Sequence, residues 1–418
     1  MDKRTFLKST GSLVLGSIVS FSAIGKLSET VAHLPEAATD EEFWASVRTG
    51  YDLKPEYINL ENGYYCIQPQ AILDKYMGHV KEVNRQGAYY MRTVQFDNKK
   101  NAAQKLAKVV GCSADELVIT RNTTESLDMI IAGQDWKPGD EAVMAEQDYG
   151  AMLYMFKQVA ARHGVVNKVV SLPMDPQSDE EIVELYARAI TPRTKLLMVC
   201  HMVNITGQIL PVRKICDMAH KRNVQVMVDG AHALAHIRFA IPELNCDYYG
   251  SSLHKWLSVP IGAGLLYVRK EHIGKVWPIF AEAGKANDDI LRLNHTGTHP
   301  AATDLTISDA IDHYNNIGPA RKEARLRYLQ NYWTAKVRGA AHIALYTPTD
   351  PSRSCAIANV GIKGMKPADM ADVLLKKYRI YTVAIDSAGV HGCRITPNVY
   401  TTTAELDVLV NALMEMRA

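Results

Sequence analysis

Ser251, Ser252, Leu253, His254 and Lys255 follow an apolar segment and stand just before the Gly-rich run from Pro260 to Gly264. A lysine amine attacks an aldehyde only when burial or a neighbouring cation keeps part of it unprotonated, and His254 is the adjacent candidate for that neighbour. Upstream, Gln225, Val226, Met227 and Val228 read as a buried strand that ends at Asp229. A carboxylate at the carboxyl end of a strand points into the crevice where α/β folds bind ligands. Pyridoxal phosphate needs both parts, a lysine for its aldehyde and an acid that keeps its ring nitrogen protonated. Taken alone, Lys255 reads equally well as one of many solvated lysines, and Asp229 as a helix cap.

Other turns sit where the same chemistry would need them. Thr120 to Glu125 leaves a strand and opens a helix, so the free amides there, with the hydroxyls of Thr123 and Thr124, form a phosphate site. An ordinary N-cap with Glu125 in the first turn explains the same residues. Asn204, Ile205, Thr206 and Gly207 follow a strand that ends near Cys200. The Asn204 amide suits a phenolic oxygen or a carboxylate, and a plain Gly-containing turn is the bland alternative. Tyr149, after another strand, offers a ring for stacking or for packing.

The elements that must position these residues alternate from about Pro69 to Ala310. Leu117 to Thr120, Glu141 to Ala145, Val165 to Leu172, Lys195 to Cys200 and Val224 to Asp229 read as strands. Gly150 to His163, Glu180 to Ile190 and Val212 to Arg222 read as helices. This pattern predicts an α/β fold, a mostly parallel sheet between helices. Asp247 to Ser251 leads to the lysine, and Gly264 to Arg269 leaves it as an edge or antiparallel member. Past Pro319 the pattern becomes that of a smaller α+β domain. It has a charged helix over Arg321 to Arg338, strands over Ala356 to Ile362, Ile380 to Ala384 and Gly392 to Thr396, and helices over Pro367 to Tyr378 and Thr403 to Met416. The expected division is a signal segment at 1–32, an N-terminal arm belonging to the small domain at 33–68, a large domain at 69–310 and a small domain at 311–418.

With 47 basic and 45 acidic side chains in 418 residues, the net charge is +2. Such a balance, without a basic run, argues against a nucleic-acid binder and leaves small zwitterionic ligands open. The seven cysteines show no CxxC pair or metal spacing and make no disulfide framework in a chain of this length. His232 and His236, like His295 and His299, are spaced for one face of a helix. No HExxH accompanies them, so no metal site is expected. Gly262 and Gly264 precede a strand rather than follow one, which suits close packing better than a dinucleotide loop. At the N-terminus, Asp2 to Lys8 resembles a twin-arginine export signal carrying Lys3 and Arg4, with an apolar stretch from Gly11 to Ile24 too short for a stable membrane anchor. Export to the periplasm is expected if the signal is used, and a cytoplasmic location if it is not.

In this order the motifs resemble class V of the fold-type I pyridoxal phosphate enzymes, especially the isopenicillin N epimerase-like branch. The carriers are Asn122 to Glu125, Asn204 to Gly207, Asp229 to His232, Ser252 to Lys255, Thr296 to Thr298, and Arg394 to Tyr400. The resemblance implies that Lys255 is the Schiff-base lysine and proton shuttle, Asp229 the pyridinium partner, and His232 a neighbour of the cofactor ring. It implies that Thr124, Ser252 and His254 hold the phosphate with help from Thr123, and that Tyr149 stacks on the ring. Thr298 matches a residue that reaches the partner subunit's phosphate, which implies a homodimer. Arg394 matches the arginine that clamps a substrate carboxylate. The expected substrate is an amino acid or, by similarity to periplasmic siderophore-tailoring enzymes, a peptide-linked one. Transamination, epimerisation and elimination share the first proton transfer. A persulfide-forming desulfurase is disfavoured because 386–392 holds no cysteine and Cys393 lies on a strand, whereas a C–S lyase needing no such thiol stays open. An exported binding protein on the same fold is the non-enzymatic alternative.

Overall fold

A computed structural model of the chain describes residues 34–282 and 284–417. The signal-like segment 1–32 lies outside the described residues, among which no helix is long and apolar enough to cross a membrane. After the short strand β1 (Ile58–Asn59), the large sheet is made by β2 (Leu117–Thr120), β3 (Glu141–Ala145), β4 (Val166–Val170), β5 (Thr194–Cys200), β6 (Gln225–Asp229), β7 (Tyr248–Ser252) and β8 (Gly264–Val268). Its spatial order is β2-β8-β7-β6-β5-β3-β4. Only β8 runs against the rest. The segment expected as an edge or antiparallel member is therefore antiparallel and interior, inserted between β7 and β2.

Alternate residues of each strand feed two separate cores. Leu197 and Val199 of β5 pack with Val226 and Val228 of β6 on one face, while Leu196 and Met198 pack with Met227 on the other. A strand covered on both faces needs consecutive apolar residues, which is why these segments read as unbroken hydrophobic runs. Gly264 has a specific task at the start of β8. A Cβ there would lie 2.7 Å from the Asn122 Cα, so glycine lets β8 begin directly against the turn that opens helix Thr123–Ala132.

The smaller unit is a four-stranded antiparallel sheet in the order β12-β13-β10-β9, formed by β9 (Ile343–Leu345), β10 (Ala358–Ile362), β12 (Val383–Ser387) and β13 (Val390–Ile395). The expected strand from Ile380 to Ala384 is two strands. β11 (Ile380–Tyr381) pairs in parallel with β1, and β12 pairs with β13. Residue 310 falls inside helix Ala301–Ile317; the chain turns at Gly318, whose φ of 91° suits glycine, into helix Pro319–Val337. The Gly318-Pro319 pair was the local signal for that break. β1 and a bridge between Glu61 and Thr396 tie the N-terminal arm to the small sheet.

Candidate active site

The six co-directional strands of the large sheet end at one edge, and the candidate residues follow those ends. Asp229 closes β6, between Cys200 of β5 and Gly250 of β7. Its Oδ1 accepts the Ala231 N–H at 2.9 Å, and burial raises its pKa, with Lys255 acting the other way. Ser252 closes β7, and its Oγ accepts the Thr123 N–H at 2.9 Å and shares a hydrogen with Thr123 Oγ1 at 2.7 Å. Asn122 caps the helix by accepting the Glu125 N–H at 2.9 Å. The cap and the hydroxyl cluster are thus the same turn, so the two sequence readings of it coexist.

Lys255 stands in a one-turn loop after β7. Its Nζ is 3.1 Å from His232 Nε2. Burial brings the amine down to about 8; Asp229, Cys66 and Glu61 oppose that fall, and Arg394 adds to it. The sequence pointed to His254 as the cationic neighbour, and the structure corrects this. Burial takes His254 down to about 4, so its imidazole is neutral near pH 7, and Arg394 is the cation that Lys255 feels.

Arg394 lies on β13 and is buried beside Glu61. Its Nε reaches Glu61 Oε2 at 3.2 Å, its Nη2 donates to Glu61 Oε1, and its Nη1 donates to the Asn204 carbonyl at 3.2 Å. A guanidinium has five N–H donors, so these three bonds leave two, one on each terminal nitrogen. That pair of donors suits a carboxylate arriving end-on. The backbone of Gly63 lies flat against the guanidinium, where a Cβ would come within 2.7 Å of Cζ. Asn62 locks the arm in place, donating through its backbone N–H and its Nδ2 to Thr396 Oγ1 and Thr396 O at 2.6 and 2.7 Å.

The comparisons follow this geometry. The model of the family described as aminotransferase class-V matches residues 67–409. The chain belongs to that family. Isopenicillin N epimerase of Amycolatopsis lactamdurans is 27% identical over 399 residues, covering 89% of this chain and 98% of that one. A cysteine desulfurase of Haloferax volcanii is 25% identical, covering 82% and 84%. A structure of C-DES with glycine covalently linked to its PLP cofactor superposes with a TM-score of 0.79 at 19% identity, covering 88% and 99%, and shares the fold. As a class-V member this protein is an enzyme, and its cofactor is pyridoxal 5′-phosphate.

The residues at the edge of the sheet fit that cofactor. His254 Nδ1 and the Asn204 side-chain oxygen are buried without a hydrogen-bond partner among the described residues. Buried polar atoms in that condition call for a partner, and their residues follow the ends of β7 and β5, at the sheet edge that carries Ser252 and Asp229. Tyr149 is 44% exposed at the start of helix Gly150–His163, an open ring at the end of β3. Thr298, by contrast, is exposed on the loop before helix Ala301–Ile317. His232 and His236 share a turn rather than a helical face.

Sequence reasoning missed Glu61, Gly63 and Trp256 in this class-V site. The Asn62-Gly63 dipeptide, a turn signal, was the local cue available in the arm. It also missed Asp148, buried below Tyr149. Burial raises that carboxyl to about 7, and its Oδ2 accepts the Ala145 N–H at 2.8 Å.

Proposed function

We propose that this class-V enzyme removes and returns the α-proton of an amino acid, free or peptide-linked, in an epimerase-like reaction. The observation that carries the reading is the Lys255 amine, 3.1 Å from His232 and lowered to about 8 while facing both Asp229 and Arg394. Pyridoxal phosphate, when bound, supplies an aldehyde for an amine and a cationic ring that accepts an electron pair. Lys255, part-neutral near physiological pH, is the base that takes the α-proton, and epimerisation follows when a proton returns to the α-carbon from the opposite face. Asp229 holds the proton of the ring nitrogen. Thr123, Thr124, Ser252 and His254 bind the phosphate at the helix N-terminus, Asn204 offers its amide, and Tyr149 offers its ring face. The two remaining N–H groups of Arg394 orient the substrate carboxylate.

The epimerase relative, 98% of which is covered, supports this outcome. So do the cysteines, of which all but the half-buried Cys112 are buried. A homodimer completed by Thr298 is part of the proposal. It is supported by the exposure of Thr298 and by exposed apolar residues such as Met77, Trp277 and Phe280. Export through the Lys3-Arg4 segment completes it, supported by the signal-like sequence.

The test is to incubate the cofactor-loaded enzyme with a panel of amino acids in deuterated water. Deuterium at Cα and appearance of the opposite epimer are expected. Lys255→Ala should lower turnover at least about a thousandfold and abolish the visible absorbance of the lysine-bound cofactor. Release of sulfide or ammonia, or accumulation of pyridoxamine phosphate, would replace epimerisation with elimination or transamination.

A further inference from the structure

We infer that Trp256 and His236 are positioning residues that set the proton on His232 and, through it, hold the Lys255 amine in its uncharged, nucleophilic form. The inference rests on Lys255 being the residue that captures the cofactor. It follows from hydrogen bonds whose donors have fixed identity. The backbone N–H of Ala356 donates to His236 Nε2 at 2.9 Å, so that nitrogen carries no proton. The ring proton of His236 is on Nδ1, which donates to the His232 carbonyl at 2.8 Å.

His236 is thereby fixed, and its ring stacks on the Trp256 indole with centroids 3.7 Å apart and planes at 28°. The buried amine of Lys322 donates to the Trp256 carbonyl and holds the tryptophan backbone in place. So fixed, the indole N–H, which can only donate, meets His232 Nδ1 at 3.4 Å. His232 Nδ1 is therefore an acceptor. Burial holds both imidazoles well below the usual histidine range, so both are neutral, and a neutral ring with a bare Nδ1 carries its proton on Nε2. That Nε2–H faces Lys255 Nζ at 3.1 Å. An ammonium has three donors and no acceptor, so the contact is a hydrogen bond only when Lys255 is an amine.

The charges around the lysine do not supply this direction. Asp229, Glu61 and Cys66 favour the ammonium, whereas burial and Arg394 oppose it. His254 contributes no charge near neutral pH. A single N–H, aimed by a tryptophan otherwise indistinguishable from core, orients the lone pair.

The first measurement is made on apoprotein carrying nitrogen-15 histidine, with the His232 signals assigned by comparison with His232→Asn. The wild-type ring should carry its proton on Nε2 near neutral pH. A ring protonated on Nδ1, or on both nitrogens, overturns the inference whether or not any variant folds. The second follows capture of pyridoxal phosphate by the apoprotein, through visible absorbance, from neutral to alkaline pH. The wild-type midpoint should lie near about 8. Trp256→Phe keeps an aromatic ring beside His236 and loses the indole N–H together with some buried volume. Its midpoint should rise by about one pH unit, with capture near neutral pH slowed about tenfold. A folded Trp256→Phe with an unmoved midpoint overturns the inference. The histidine tautomer is read without cofactor, so a wild type that never captures it would strike the lysine's role and leave the tautomer result to stand separately.

Discussion

Lys255 and Arg394 face the same site from different units of the fold, and the protein handles their charges in opposite ways. Burial brings the lysine down to about 8, and no carboxylate among the described residues bonds its amine directly. The arginine is buried, and Glu61 is matched to its side fork. A guanidinium is not deprotonated in proteins, so burying it requires a counter-charge; an ammonium can shed its proton, so burial moves it toward a nucleophile. The contrast follows the tasks. Proton transfer needs a lone pair, whereas orienting a carboxylate needs a permanent, rigid fork.

Breaking the arginine pair should have the largest effect. Arg394→Ala leaves Glu61 buried without its partner, at a cost of about 3–5 kcal/mol in unfolding free energy. It also removes the carboxylate fork, so kcat/KM should fall by about a hundredfold or more. Arg394→Lys should recover part of the stability but little of the kcat/KM, because an ammonium lacks the planar fork. The mirror-image variant sharpens the comparison. Glu61→Gln keeps the shape and leaves Arg394 without counter-charge, so stability should fall by about 1–3 kcal/mol. A substrate carboxylate then becomes the counter-charge, so KM should drop while kcat holds. Unchanged unfolding and unchanged KM in Glu61→Gln would show that the pair is incidental to binding.

The lysine side predicts a smaller, pH-dependent effect. Lys255 and the similarly buried Lys322 both fall to about 8 from an ordinary 10.5. Between those values the unfolded chain binds more protons than the folded one. These two amines therefore add stability as pH rises from about 8 to about 10.5, whereas the buried thiols, raised from 9.0, remove it above about pH 9, so the lysine contribution is read as the difference between wild type and Lys322→Met. Denaturant unfolding at a series of pH values checks this, and Lys322→Met should reduce the slope. Parallel profiles for wild type and Lys322→Met would mean that the amine is better solvated than its surroundings indicate.

The same contrast explains what could be read before the fold was known. Asp229, His232, Ser252, His254 and Lys255 sit at the ends of β6 and β7, where long apolar runs stop, and a two-sided core makes those ends visible in sequence. The arginine side offers no such cue. Glu61 is 333 positions from Arg394, on an arm whose only strand is two residues long, and no periodicity connects them. Trp256 looked like core because it is core; only the direction of its N–H gives it a further role. His232 and His236 were spaced for a helical face, and a turn brought them together instead, through Trp256. Glycine told half of its part: the run ending at Gly264 suggested close packing, but nothing local showed that Gly63 would lie on a guanidinium.

The smallest expected effect lies one residue from one of the largest. Cys393 and Arg394 are neighbours on β13, and successive side chains of a strand point to opposite faces. Arg394 reaches Glu61, whereas the Cys393 thiol donates to the Pro367 carbonyl at 3.6 Å, and burial pushes the thiol up to about 12. A thiol that is not ionised near neutral pH is a poor nucleophile and a poor sulfur acceptor. Cys393→Ala should therefore change kcat/KM by less than about twofold and cost about 1 kcal/mol in stability, through lost packing alone. Steady-state kinetics and thermal unfolding on that variant decide the matter. If the folded variant lost turnover as completely as Lys255→Ala, the two faces of β13 would belong to one site, and sulfur transfer would displace proton return at the α-carbon.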